Sequence, residues 1–199
     1  GRLTSDGTVS RGWRVAIGDE GHLLEDVATE CFGLAVGNYR CDGLARDGER
    51  LVASGAAGIR ADDLRQAIDR VSTRAQDFFA ALSNGAIGRK AGSAENRVRI
   101  TSAALQPVYE DGLLLIGALD NLEASAALIR PQADPDRKPG DPSPQDPLSL
   151  SRRAGEIRDN LRFVMKAGDP EYVYFLETRG RGTFLRAAPI DISTIVKDL

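Results

Sequence analysis

YVYFLET (Tyr172–Thr178) and TFLRA (Thr183–Ala187), joined by RGRG (Arg179–Gly182), decide how this 199-residue chain is read. Both runs are short and rich in aromatic and β-branched residues, and the glycines between them tolerate positive φ. The segment is therefore predicted to be a β-hairpin. Upstream the periodicity is different. Leu64, Ile68, Val71, Ala75, Phe78 and Leu82 recur every three or four residues after Asp62 and Asp63, which predicts an amphipathic helix from Ala61 to Asn84-Gly85. Leu105, Val108, Gly112, Leu115, Leu119, Leu122, Ala126 and Ile129 mark a second helix, from about Ser102 to Ile129, whose spacing suits antiparallel packing against another helix. Gly112 and Gly117 within it weaken it, or else permit a close helix crossing. Ala154, Ile157, Leu161 and Val164 mark a third, from about Ser149 to Lys166. Between the last two, Pro131–Pro147 is proline-rich and almost free of apolar residues, so it is expected to be an extended loop.

Towards the amino end, WRVAI (Trp13–Ile17) fits a buried strand. His22–Phe32 fits a helix with Leu23, Val27 and Cys31 on one face, stopped by Gly33. Leu34–Val36 fits a second short strand, while residues 37–58 offer only Leu44, Leu51 and Val52 as anchors and have no clear assignment. Strand and helix, then long helices, then strands again imply an α+β chain with a helical insertion inside an α/β domain, rather than two domains in tandem.

Composition fits a globular domain: 42% hydrophobic and 28% charged residues at this length are enough for a core. A net charge of −3 gives no overall attraction to nucleic acid, so any such contact must come from local basic patches. Two cysteines, Cys31 and Cys41, support neither a zinc set nor a disulfide framework. No run approaches the roughly 18 apolar residues of a membrane span, and Gly1-Arg2-Leu3-Thr4 does not open a signal peptide. The expectation is a cytoplasmic protein with reduced thiols and no membrane partner. The missing initiator methionine suggests a processed product or an excised piece.

VAIGDEGHLLED (Val15–Asp26) is the stretch richest in chemistry. An apolar strand ending in Asp19-Glu20 can present one acid to Mg²⁺ and the other to an attacking water, and ligands of open α/β sheets gather at such strand ends. The same residues also suit a solvated strand end with Glu20 near a helix start. IGDEGHLLEDVATECFG (Ile17–Gly33) resembles the motif II region of the DinG/XPD-like branch of superfamily 2 DNA helicases. LSRRAGEIRDNLRFVM (Leu150–Met165), DPEYVYFLETRGRGTFLRAAPIDIS (Asp169–Ser193) and IVKDL (Ile195–Leu199) resemble that family's last arch helix and its return into the first helicase domain.

The resemblance implies a helicase that couples ATP hydrolysis to movement on single-stranded DNA and to unwinding, in repair or replication. Asp19 would bind Mg²⁺, Glu20 would be the catalytic base, and His22 would couple nucleotide state to DNA. Residues 1–58 would be part of a RecA-like core, 59–168 an arch-like insertion and 169–199 the return to the core. Gly21 replaces the usual alanine and Gly18 a bulky residue. ATP and Mg²⁺ would be cofactors of the complete enzyme. The family's iron–sulfur module, where present, lies upstream of this box, so Cys31 and Cys41 would not hold it. Single-stranded DNA and the remaining helicase domains of the parent chain would be the partners. Gly85–Lys90 lacks the spacing and hydroxyl of a phosphate loop, so this chain alone is expected to be inactive. A non-catalytic single-strand or protein-interaction module, or an inactive truncated product, is the alternative.

Arg89, Lys90, Arg97 and Arg99 form the densest basic run. Arg152, Arg153, Arg158 and Arg162 follow the third helix, and Arg179 and Arg181 mark the hairpin tip. Each group fits either an ordinary solvated face or a contact to DNA phosphates. Phe78, Phe79, Phe163, Tyr172 and Tyr174 mostly fit apolar faces.

Overall fold

The computed structural model describes residues 33–85, 95–130 and 146–190. They form an α+β fold with four long helices and one four-stranded antiparallel sheet. The helices are α1 (Asn38–Ala53), α2 (Ala61–Asn84), α3 (Tyr109–Ala127) and α4 (Pro147–Lys166); the strands are β1 (Leu34–Gly37), β2 (Glu95–Arg99), β3 (Tyr172–Arg179) and β4 (Gly182–Pro189). The strands lie in the order β1-β4-β3-β2. Trp13–Ile17 and His22–Phe32, the expected strand and helix that flank the acid box, lie outside the described residues.

Each helix packs on the next, and α4 closes back on α1. Every apolar position predicted for the three helices is buried, from Leu64 to Leu82, Leu105 to Ile129 and Ala154 to Val164. The expected helix from Ser102 to Ile129 is not continuous. Thr101 caps a single turn, Ser102–Leu105, by accepting from the Ala104 N–H, and a 3₁₀ turn over Gln106–Val108 follows before α3 begins. Pro107 has no N–H to give to a continuing helix, which accounts for the break. Asp146 caps α4 through the Leu148 N–H, with Pro147 in the first turn, where its missing donor costs nothing.

Residues 38–53, left unassigned from the sequence, are α1. Its buried face is Cys41, Leu44, Ala45, Gly48 and Leu51, a helical spacing carried mostly by small side chains. Gly48 is small because α2 crosses there: a Cβ on it would stand 2.7 Å from the Ile68 Cδ1.

The hairpin forms as the sequence suggests. Arg179 pairs with Gly182 across a two-residue turn, and Gly180 takes φ +59° at its first central position, the pattern of a type II′ turn. β4 then pairs with β1, Leu34 opposite Ala187, and β3 pairs with β2. One core joins the sheet residues Val36, Tyr174, Leu176, Leu185 and Ala187 to the helices. Two polar ties hold the layers in register. Asn38 at the start of α1 accepts from the Thr183 N–H at 3.0 Å and donates to the Arg181 carbonyl at 3.2 Å. The Ser83 and Thr183 hydroxyls meet at 2.9 Å.

Candidate nucleic-acid interface

In an antiparallel pair, residues opposite each other share a face. The register therefore sorts the sheet residues. Val36, Leu185, Ala187, Tyr174 and Leu176 face the helices. Gly37, Phe184, Arg186, Phe175, Glu177, Arg179, Arg97 and Arg99 occupy the opposite, outer face. Aromatic rings and cations alternate across it from the β1 edge to the β2 edge.

Phe184 begins the row. Its ring lies so close to the backbone that a Cβ would stand 2.5 Å from it at Gly37 and 2.6 Å at Gly182. A side chain at either position would have to displace the ring. Tyr39, 48% exposed, sits beside it with ring centroids 6.2 Å apart. The Arg186 guanidinium lies 5.7 Å from the Phe184 ring, and its Nε is 2.8 Å from a Glu177 carboxylate oxygen. That nitrogen is buried and makes no hydrogen bond, so the approach is close but off the N–H axis and the pair is held by charge rather than by a directed bond. Next comes Phe175, 3% exposed yet outside the main core. The Arg97 guanidinium covers its ring at 3.5 Å from the centroid. Arg97 and Arg99 are exposed.

Among the described side chains of this face, four are arginines, Arg97, Arg99, Arg179 and Arg186, and one is a glutamate, Glu177. Cations interleaved with planar rings are what a single-stranded backbone and its bases need.

Of the candidate site residues, Arg97, Arg99 and Arg179 are brought to this one face. Arg181 lies in the turn beside it, exposed, with its carbonyl bound to Asn38. Asp19, Glu20, His22, Arg89 and Lys90 lie outside the described residues, as does Cys31. The arginines of α4 are taken up by carboxylates instead. Arg152 pairs with Glu156 at 3.0 Å and Arg153 with Asp47 at 2.7 Å. Arg158 bonds Asp159 at 2.9 Å, Asp120 at 2.7 Å and Glu123. Arg162 approaches Asp120 and Asp159 at 3.7 and 3.8 Å. Arg158 and Arg162 thus link α4 to α3, and Arg153 links it to α1. Cys41 is buried in the core, and burial, with a smaller push from Asp42, raises its thiol to about 12 against a weaker pull from Arg40. It stays protonated and packs as a small apolar side chain. Among the described residues no cluster of three or more His, Cys, Asp or Glu could hold a metal ion, and no helix is long and apolar enough to cross a membrane.

Phe175, Phe184 and Arg186 were not among the sequence candidates. Their signal is the two-residue alternation of YVYFLETR and GTFLRAAP, which separates Phe175 and Glu177 from Tyr174 and Leu176. Phe163, Tyr172 and Tyr174, by contrast, cluster where α4 meets β3, with centroids 5.0 to 6.5 Å apart, and belong to the packing of the fold. Comparison with protein-family models, curated proteins and solved structures finds no match to this chain.

Proposed function

We propose that the chain is the nucleotide-hydrolysis box and helical insertion of an ATP-dependent DNA helicase of the DinG/XPD-like branch. One observation carries the reading beyond the sequence resemblance. The strand that follows the acid-box region, β1, and the last strand of the family-like carboxyl segment, β4, are neighbours with Leu34 opposite Ala187. The helical body therefore leaves and rejoins the rest of the chain at one place, as an insertion in a motor domain must. In this reading the arch-like insertion of residues 59–168 is extended to take in α1 and the sheet, which share one core with its helices. Residues before β1 and after β4 belong to the RecA-like core.

In this reading Asp19 holds Mg²⁺ through its water shell, Glu20 deprotonates the attacking water, and His22 couples the nucleotide to DNA. The phosphate-binding loop and the second motor domain belong to the remainder of the parent chain, so the 199 residues alone do not turn over ATP. The whole enzyme works on single-stranded DNA in the cytoplasm, and an iron–sulfur cluster, where the parent has one, is held upstream. Glu20→Gln in the complete helicase is expected to abolish ATP turnover while nucleotide binding persists. Turnover retained by that variant would reject the assignment.

A further inference from the structure

We infer that the outer face of α3 pairs with the same face of a second copy of this chain, the two helices running antiparallel about a two-fold axis between Ala118 and Leu119. α3 is apolar on nearly all sides, and a helix of that kind belongs inside a protein. Its inner side meets α2 and α4. Along its outer side and just past its end, Tyr109, Leu113, Leu114 and Leu128 remain between 41% and 59% exposed, and a Cβ on Gly117 would meet nothing within 4 Å. The neighbouring helices differ. α2 exposes Arg65, Asp69, Arg70 and Arg74, and α4 exposes Arg152, Glu156 and Asp159. Beyond the first turn of α3 the exposed charge is Asp120, and it is bonded to Arg158 at 2.7 Å.

Charge and shape both make a second copy the occupant. The face begins at Glu110 and ends at Arg130; both are exposed, and neither is in an ion pair among the described residues. A two-fold axis that reverses one helix sets each acidic end beside the basic end of the other copy and opposes the helix dipoles as well. The same axis places Leu113 opposite Ala124 of the second copy, and Tyr109 opposite its Leu128. Gly117 falls beside the axis, where the absence of a side chain lets the backbones approach closely. The 19 residues of α3 make a face about 28 Å long and about 10 Å wide. That is on the order of 300 Å² a side, the size of patch that marks an interaction site on a monomer, yet below the roughly 800 Å² per partner of a standard stable interface. The dimer is therefore weak, with a dissociation constant on the order of tens of micromolar. Its formation does not depend on the helicase reading.

The test is sedimentation velocity of the full 199-residue chain from about 5 to 500 µM, a range that brackets micromolar dissociation. The sedimentation coefficient is expected to rise with concentration from that of a monomer to that of a dimer. Leu113→Asp, which places an unpaired charge in the middle of the face, and Gly117→Leu, which holds the helices apart, should each weaken association at least about tenfold. Both positions are exposed, so circular dichroism should show the helices intact. Glu110→Arg alone should weaken association several-fold, and adding Arg130→Glu to it should restore the parent behaviour, because the exchanged charges meet again across the two-fold axis. Arg70→Gln, on the outer side of α2, should associate as the parent chain does. The inference is overturned if the chain stays monomeric throughout the range, which would leave the face to another segment of the parent protein. It is equally overturned if a dimer forms but Leu113→Asp and Gly117→Leu do not weaken it, if Arg70→Gln weakens it as much as they do, or if the double charge exchange fails to restore what Glu110→Arg loses.

Discussion

Ala167 ends α4 with φ 40° and ψ 38°, the left-handed region that L side chains rarely adopt and that glycine occupies freely. It is the only non-glycine residue with positive φ among those described. Relieving that conformation returns about 1–2 kcal/mol, whereas glycine loosens the unfolded chain by about 0.4–1 kcal/mol. The first effect is the larger, so Ala167→Gly is expected to raise stability by roughly 0.5–1 kcal/mol, read as a higher urea midpoint at unchanged slope. Nothing in the sequence marks this residue, because alanine has no preference for the left-handed region. The rings of the outer sheet face were within reach of the sequence, whereas their partners were not. Alternation assigns Phe175 to a face, but only the strand register shows that Arg97 and Arg186 share that face with it.

On α3 two glycines of similar sequence context behave differently. A Cβ on Gly112 would stand 2.7 Å from the Met165 methyl and 3.3 Å from the Phe78 ring, while one on Gly117 would meet nothing within 4 Å. Gly117→Ala should therefore stabilise the protein by about 1 kcal/mol through helix propensity alone. Gly112→Leu should destabilise it by about 1–3 kcal/mol through overpacking, and thermal unfolding of the two variants checks both signs. The sequence allowed either role for each glycine, because which face meets α4 depends on the neighbours. The helices α2, α3 and α4 were legible because their large apolar residues repeat with a helical period. α1 was not, since small residues hold most of its buried face and Gly43 and Gly48 dilute its propensity. β2 was read only as a basic run. As an edge strand it has a single apolar residue, Val98, between Arg97 and Arg99, and charged residues on an edge also discourage pairing with other chains.

Across the whole molecule, Arg158 holds α4 against α3. It bonds Asp159 on its own helix and reaches Asp120 and Glu123 on the other, and its side chain is 18% exposed. Hydrogen bonding to Asp159 is the largest influence holding the guanidinium protonated, well above its usual range, against the smaller pull of burial. The same bond holds the Asp159 carboxyl below its ordinary value. A carboxylate lowered in the folded state stabilises fully above its unfolded pKa, about 4, and loses that contribution as pH falls through the lower folded value. Arg158→Ala is expected to cost about 1–3 kcal/mol near neutrality and to flatten the fall in stability below about pH 4. Arg162→Ala should cost less than about 1 kcal/mol, since its contacts are exposed. Urea titrations from pH 2.5 to 7, a range set to bracket the carboxylate values, compare the variants.

The pairing of β1 with β4 has a mechanical consequence. Leu34 and Ala187 face each other at the same end of a ladder that runs to Gly37 and Phe184. A force that draws the incoming and outgoing chain apart loads this ladder one rung at a time, in the manner of a zipper, instead of shearing all rungs together. Residues 34–37 are then the weakest mechanical link of the body. Tension between the flanking segments would peel β1 from the sheet before it disturbed the four helices.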